Sequence, residues 1–219
     1  MTIRLLLVDD HELMRQGLRA ILESEKDIEV VGEAADGRTA VRLARSLSPD
    51  IVVMDVAMKD MNGIEATRQI RADCPGVKVL ALSSHSDSRY VNAILDAGAS
   101  GYVLKANAYD DLRRAIEAAR QGKSYLCPDV TQSVIGGSIR DPGSGSRSDS
   151  PGDPLSPRER EVLQLLAEGL SSPEIGKRLF VATTTIETHR RNIVRKLGIH
   201  SVADLTKYAI REGLTSVES

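Results

Sequence analysis

The chain has 219 residues, 41% hydrophobic and 27% charged, an ordinary composition for one or two globular domains. Its 29 Lys and Arg against 31 Asp and Glu give a net charge of −2, so overall charge names no partner. Cys74 and Cys127 match neither a disulfide ladder nor a metal spacing, no apolar run reaches the roughly 18 residues of a membrane span, and the first ten residues lack a signal-peptide pattern; a reduced cytoplasmic chain without a membrane partner is expected.

Short apolar runs rich in β-branched residues mark strands at 3–8, 28–34, 51–55, 77–83 and 101–104. Helical periodicity follows each of them, at 12–24, 38–46, 63–72, 88–97 and 109–121. Five β-then-α units in succession predict a parallel sheet with helices on both faces. The runs Leu5–Val8 and Ile51–Met54 are apolar without alternation, as strands buried on two sides should be. Beyond the fifth helix, residues 136–154 read GGSIRDPGSGSRSDSPGDP, with almost nothing to bury against the entropy of ordering. The expected organisation is a domain over 1–125, a flexible tether over 126–152 and a second domain over 153–219.

In that second domain Ser156, Pro157 and Glu159 open a helix with a capping box, and Val162, Leu165 and Leu166 give it a buried stripe. Ser171 with Glu174 opens another, ending at Leu179; a third spans 183–197 and a fourth 201–212. On the third, Ile186, Ile193 and Leu197 share one side, while Thr184, Glu187, Thr188, Arg191 and Arg195 share another. Residues 177–196 hold six bases (Lys177, Arg178, Arg190, Arg191, Arg195, Lys196) and one acid, Glu187. Short helices joined by tight turns, the later one presenting bases and small polar groups, describe a helix-turn-helix whose exposed helix enters the major groove. Charge alone fits a protein-interaction bundle equally well.

In open parallel sheets, functional groups gather where strands end at their carboxyl edge. Asp9 and Asp10 follow the first strand, Asp55 closes the third, Ser83 ends the fourth and Lys105 follows the fifth. A single Asp at a strand end is usually a turn former, and Asp9 or Asp10 could simply cap the next helix. A register of five polar groups at the ends of four strands is far less expected by chance. Converging carboxylates repel unless a cation intervenes, and all-oxygen ligation suits Mg²⁺. A lysine and a hydroxyl beside them suit a phosphoryl group.

The motifs LLLVDDHELMRQGL, IVVMDVAMKDMNGIEATRQIR, VLALSSHSD and AGASGYVLK resemble the receiver domain of bacterial two-component response regulators over residues 3–122. The strings LSPREREVLQLLAEGLSSPEIGKRL and TTTIETHRRNIVRKLGI resemble the LuxR-type helix-turn-helix over 153–215, which makes the whole similar to the NarL/FixJ kind. The resemblance implies a five-stranded (βα)5 receiver joined to a small four-helix DNA-binding domain. It implies Asp55 as phosphoacceptor, with Mg²⁺ held by Asp10, Asp55, the carbonyl of Ala57 and, through water, Asp9. Lys105 would bind a phosphoryl oxygen, and Ser83 and Tyr102 would switch with it. Taken alone, Tyr102 is equally a packed, half-buried aromatic. In the second domain Lys177 and Arg178 would lie on the scaffold helix. Glu187, Thr188 and Arg191 would face bases, and Thr185, Arg190 and Arg195 the DNA backbone. The implied partners are a sensor histidine kinase, double-stranded DNA and, on activation, a second copy of the chain.

This sequence departs from the family pattern at Lys59 and Ala106, where receivers commonly have proline. It departs again at Ala182, where a capping serine is usual and Thr183 is a possible substitute, and at Gly176, which should weaken its helix slightly. Glu187 stands at a position often basic in relatives. A phosphohydrolase using Asp55 as nucleophile would want an acid two residues later, where Ala57 stands instead. The other rival is a DNA binder indifferent to phosphorylation.

Overall fold

A computed structural model describes residues 2–131 and 155–215. The chain divides into two compact units between residues 140 and 141. The expected tether lies outside the described residues from 132 onward.

The first unit alternates β1 (Ile3–Val8), α1 (Glu12–Glu23), β2 (Ile28–Ala34), α2 (Gly37–Leu47), β3 (Ile51–Asp55), α3 (Gly63–Asp73), β4 (Lys78–Ser83), α4 (Ser88–Asp96), β5 (Gly101–Leu104), a 3₁₀ turn (Lys105–Asn107), α5 (Ala108–Arg120) and β6 (Tyr125–Leu126). The sheet is parallel throughout, in the order β2-β1-β3-β4-β5-β6. Apolar side chains on both faces of β1 and β3 explain their continuous hydrophobic runs. Leu5 and Leu7 pack with α1 and α5 residues such as Leu18, Leu22, Leu112 and Ile116. Leu6 and Val8 face the opposite way, among Ala40, Val41 and Ile70 of α2 and α3. The order reverses between β1 and β3, so the edge beyond their carboxyl ends is the crevice where such sheets place ligands.

Six strands, not five, make this sheet. Tyr125 and Leu126 pair in parallel with Gly101 and Tyr102 of β5. A helical turn follows at 128–131, and Cys127 and Val130 are fully buried beside Tyr102, Tyr90 and Ile94. Ordered packing therefore runs through the segment where the tether was expected to begin, from 126. The signal is weak because a strand of two residues carries no readable period.

The second unit contains α6 (Pro157–Ala167), α7 (Ser172–Arg178), α8 (Thr183–Leu197) and α9 (Val202–Arg211). The capping boxes read from the sequence are present at Ser156 with Glu159 and at Ser171 with Glu174. Its core joins Val162, Leu165, Ile175, Leu179, Ile186, Ile193, Leu205 and Ala209. The N-cap of α8 is Ala182, without a side-chain hydrogen bond, so Thr183 does not substitute for the missing serine. Gly176 has a packing reason: a Cβ there would lie 2.9 Å from the Val181 carbonyl oxygen in the turn between α7 and α8.

Gly63 is placed under the same constraint next to the candidate site. A Cβ on it would lie 2.0 Å from the Asp55 carbonyl oxygen. Gly63→Ala should therefore push β3 from the start of α3 and lower stability by about 2–3 kcal/mol, the upper range for overpacking. Urea unfolding of the variant would check this; a loss under about 0.5 kcal/mol would mean that α3 shifts freely.

Candidate functional site

The end of β1 delivers Asp9 and Asp10, the end of β3 delivers Asp55, and the residue after β5 is Lys105. Asp9 and Asp55 are almost completely buried, at 1% exposure each. Lys105 Nζ lies 2.7 Å from Asp55 Oδ2 and 2.8 Å from Asp9 Oδ2, so one ammonium bridges two buried carboxylates. Asp55 Oδ1 accepts a hydrogen bond from the Ala57 amide at 3.2 Å. Asp9 Oδ1 accepts from the His11 amide at 2.8 Å.

Neither Asp9 nor Asp10 caps α1. The N-cap is His11, with no side-chain cap, which removes the capping reading of this acid pair; the turn-forming one holds for Asp9, through its bond to the His11 amide. One ligand atom each from Asp9, Asp10, His11 and Asp55 lies within 4.8 Å of all the others. Asp9 Oδ2 and Asp10 Oδ1 are buried oxygens that meet only nitrogen partners, Lys105 Nζ at 2.8 Å and His11 Nδ1 at 2.9 Å. Buried carboxylate oxygens left in this way, clustered over a few ångströms, fit a small hard cation that takes oxygen ligands at roughly 2.1 Å. His11, absent from the residues singled out by sequence, enters the cluster because its Nδ1 sits 2.9 Å from Asp10 Oδ1. Its ring is 72% exposed and offers nitrogen, so it fits Mg²⁺ less well than the three acids.

Burial raises the Asp55 carboxyl to about 6; the Lys105 ammonium pulls it down, and the Asp9 carboxylate adds to the rise. Burial acts against the charge on Lys105, yet Asp55 and Asp9 hold that ammonium above its ordinary value.

Ser83 and Tyr102 form a second group beside the first. Ser83 is fully buried and its hydroxyl accepts from the His85 amide at 3.0 Å. Tyr102 is fully buried rather than half-buried, and its hydroxyl donates to the His85 carbonyl at 2.6 Å. Burial pushes its phenol above the ordinary value. The His85 ring stacks on Tyr90 at 4.9 Å, fixing the loop between the two hydroxyls. Lys59 is exposed, and Ala106 lies in the 3₁₀ turn that aims Lys105 inward.

On the second unit Lys177 and Arg178 are exposed on α7, and Thr185, Glu187, Thr188, Arg191 and Arg195 are exposed on α8. Arg190 is half-buried and bonds Ser172 Oγ on α7 at 2.9 Å. Lys196 does not belong to this basic face: its ammonium sits 2.6 Å from Glu159, a buried acid of α6. Glu187, Arg190, Arg191, Val194, Arg195 and His200 line a shared groove along α8.

Family models match both units. Residues 5–117 match the response regulator receiver domain, and residues 153–209 match the bacterial regulatory proteins of the luxR family. The chain belongs to the response regulators with a LuxR-type C-terminal domain. It is 42% identical over 214 residues to the transcriptional regulatory protein LiaR of Bacillus subtilis, covering 98% of this chain and 100% of that relative. It is 37% identical to the response regulator VraR of Staphylococcus aureus, over 98% and 99% of the two chains. Among solved structures, a LuxR-family response regulator from Aurantimonas is 40% identical with a TM-score of 0.61, over 64% of this chain and 99% of that one. A response regulator RcsB–DNA complex is 28% identical with a TM-score of 0.60, over 96% and 99%.

In this response regulator the bridging lysine supplies counter-charge to Asp9 and Asp55, so its removal should have a pH signature. Asp55 is held above its unfolded value, so its ionisation costs stability as pH rises through about 6. Without the ammonium that cost grows. Lys105→Met should destabilise the chain by about 3 kcal/mol at pH 8, the low end for breaking a buried pair, and by much less at pH 5, where the Asp55 carboxyl takes up its proton. Denaturant unfolding at the two pH values checks it; an equal loss at both would assign Lys105 to packing rather than charge.

Proposed function

We propose that this response regulator is switched by Mg²⁺-dependent phosphorylation of Asp55, which controls dimerisation and sequence-specific DNA binding. The observation that carries the reading is the lysine held between two buried carboxylates at the carboxyl edge of the sheet. Asp10, Asp55 and the Ala57 carbonyl would hold the cation directly, and Asp9 through water. Bound there, it would neutralise charge on the transferring phosphoryl group.

The chain's own residues do the rest. An Asp55 carboxylate oxygen attacks phosphorus, a P–O bond forms, and the bond to the donor breaks; a phosphohistidine of a sensor kinase or a small acyl phosphate suits this step. Lys105 turns from the carboxylates to a phosphoryl oxygen, and the Ser83 hydroxyl moves to another. Tyr102, released from the His85 carbonyl, changes rotamer and biases the packing around α4 and β5. The acyl phosphate is lost to water, so the protein is a self-limiting acceptor and not a turnover enzyme; Ala57 leaves no acid-base group two residues after the nucleophile.

On the second unit, α8 enters the major groove, with Glu187, Thr188 and Arg191 facing bases. Thr185, Arg190 and Arg195 on α8, and Lys177 and Arg178 on α7, face the DNA backbone. The RcsB–DNA complex, whose chain is similar over 96% of this one, supports DNA binding by this unit. Two copies tethered through their receivers would make the second half-site contact effectively intramolecular.

Asp55→Asn should abolish acyl-phosphate formation with acetyl phosphate and Mg²⁺, as read by intact-mass analysis. Labelling of the variant at the wild-type stoichiometry would move the acceptor elsewhere. Arg191→Ala should weaken binding to a selected operator by about 1–3 kcal/mol and relax preference at one base pair. A uniform loss over all sequences in a binding-selection assay would make Arg191 a phosphate clamp instead.

A further inference from the structure

The phosphoryl chemistry uses no atom of Arg15, yet this side chain is tied into the acid site more tightly than its place on a surface helix requires. Its side chain is 16% exposed. Nη1 donates to the Asp9 carbonyl oxygen at 2.8 Å, and Nε donates to Glu33 Oε2 at 2.8 Å. Glu33 stands on β2 and also accepts from Arg19 at 2.6 Å; these arginines, Arg19 before Arg15, hold its carboxyl below the ordinary value.

The Asp9 carbonyl belongs to the peptide plane that joins Asp9 to Asp10. Because that plane is rigid, holding its oxygen resists rotation of the whole plane, and so restrains ψ of Asp9 and φ of Asp10, the torsions that set where the two carboxylates point. The Asp9 amide is held as well, donating to the Ala34 carbonyl on β2 at 3.1 Å. Strand β2 thus grips Asp9 at both ends, directly at the N–H and through Glu33 and Arg15 at the C=O. Two adjacent acids facing a third have every electrostatic reason to splay apart. A planar guanidinium making two directed bonds resists that splaying in a way that a single ammonium does not.

We propose that Arg15 is a positioning residue that preorganises the Asp9–Asp10 pair for a divalent cation, with Glu33 as its anchor. This inference rests on the reading of the acid cluster as a cation site. It predicts that Arg15 governs metal affinity rather than merely the attachment of α1.

The test is a Mg²⁺ titration of the full chain by calorimetry, alongside urea unfolding and hydrogen exchange at the His11 amide, which Asp9 Oδ1 accepts. Arg15→Gln should weaken Mg²⁺ binding by about 10- to 100-fold, the range for lost outer-shell partners, and speed His11 exchange in metal-free protein. Arg15→Lys, which keeps the charge, should rescue little of the affinity. Glu33→Ala, which leaves Arg15 in place, should weaken Mg²⁺ severalfold and serves if the Arg15 variants fold poorly. Wild-type Mg²⁺ affinity in Arg15→Gln or Glu33→Ala, with stability alone reduced, would overturn the positioning role. Absence of Mg²⁺ uptake by the wild-type chain would instead overturn the cation site itself, and the clamp with it.

Discussion

Like charges buried together set the terms for the first unit. Asp9 and Asp55 lie beneath the surface at the same sheet edge, Asp10 beside them, and the Lys105 ammonium is the counter-charge that touches both buried acids. Such a cluster does not stabilise the fold, because desolvating ions costs more than a hydrophobic replacement would. It persists because the strands that carry it are anchored elsewhere, by apolar side chains on both faces of β1 and β3. The sheet core supplies the stability and the edge spends part of it. A group held in this way responds strongly to any change of charge, which is what a phosphorylation switch requires.

The same logic orders the surroundings of Tyr102. Its ring is buried in one apolar cluster with Tyr90, Ile94, Leu104, Cys127 and Val130. Cys127 donates its amide to the Tyr102 carbonyl, and Leu126 pairs with Tyr102 across the β5–β6 ladder. The position of the ring and the path of the chain after β6 are therefore solutions to one packing problem. Close-packed interiors move between discrete arrangements rather than deforming continuously. Displacement of Tyr102 would leave Cys127 and Val130 without a partner of matching shape.

Most of this architecture was legible because its signals are local. Continuous apolar runs gave β1 and β3, and capping residues gave the starts of α6 and α7, since each depends on neighbours within four positions. The acid site was legible because strand ends in a parallel sheet share one edge, so that residues 9, 55 and 105 could be brought together without knowing distances. What stayed hidden depends on partners far along the chain. Lys196 reads as one more base of a basic helix until Glu159, 37 residues earlier, is seen to hold it. Nothing local distinguishes Arg15 from the other polar residues of α1; only the fold brings Glu33 and the Asp9 carbonyl to it. Two-residue β6 carries no period at all, and Gly176 reads as a weak helix former until the turn carbonyl packed against it is visible.

The bases of α8 are sorted by the same distinction between local and distant partners. Arg191 contacts Thr188 at 3.4 Å and Arg195 contacts Asn192 at 3.1 Å, both within one helical turn and both on exposed side chains. Those contacts are local and solvent-exposed, so exchanging them for the DNA contacts proposed above would cost little. Arg190 differs, because its bond to Ser172 crosses to α7 and ends on a buried hydroxyl. It can hold the angle between the two helices while its remaining donors would serve the backbone contact proposed for it. Glu187 meets Arg190 only at 3.4 Å and is 49% exposed, a pair worth little in water. Its carboxylate is therefore free to turn toward a base edge. At the base-facing position proposed for it, the carboxylate would repel phosphate and would accept from a cytosine amino group, so this single acid on a basic helix would act on sequence preference rather than on overall affinity.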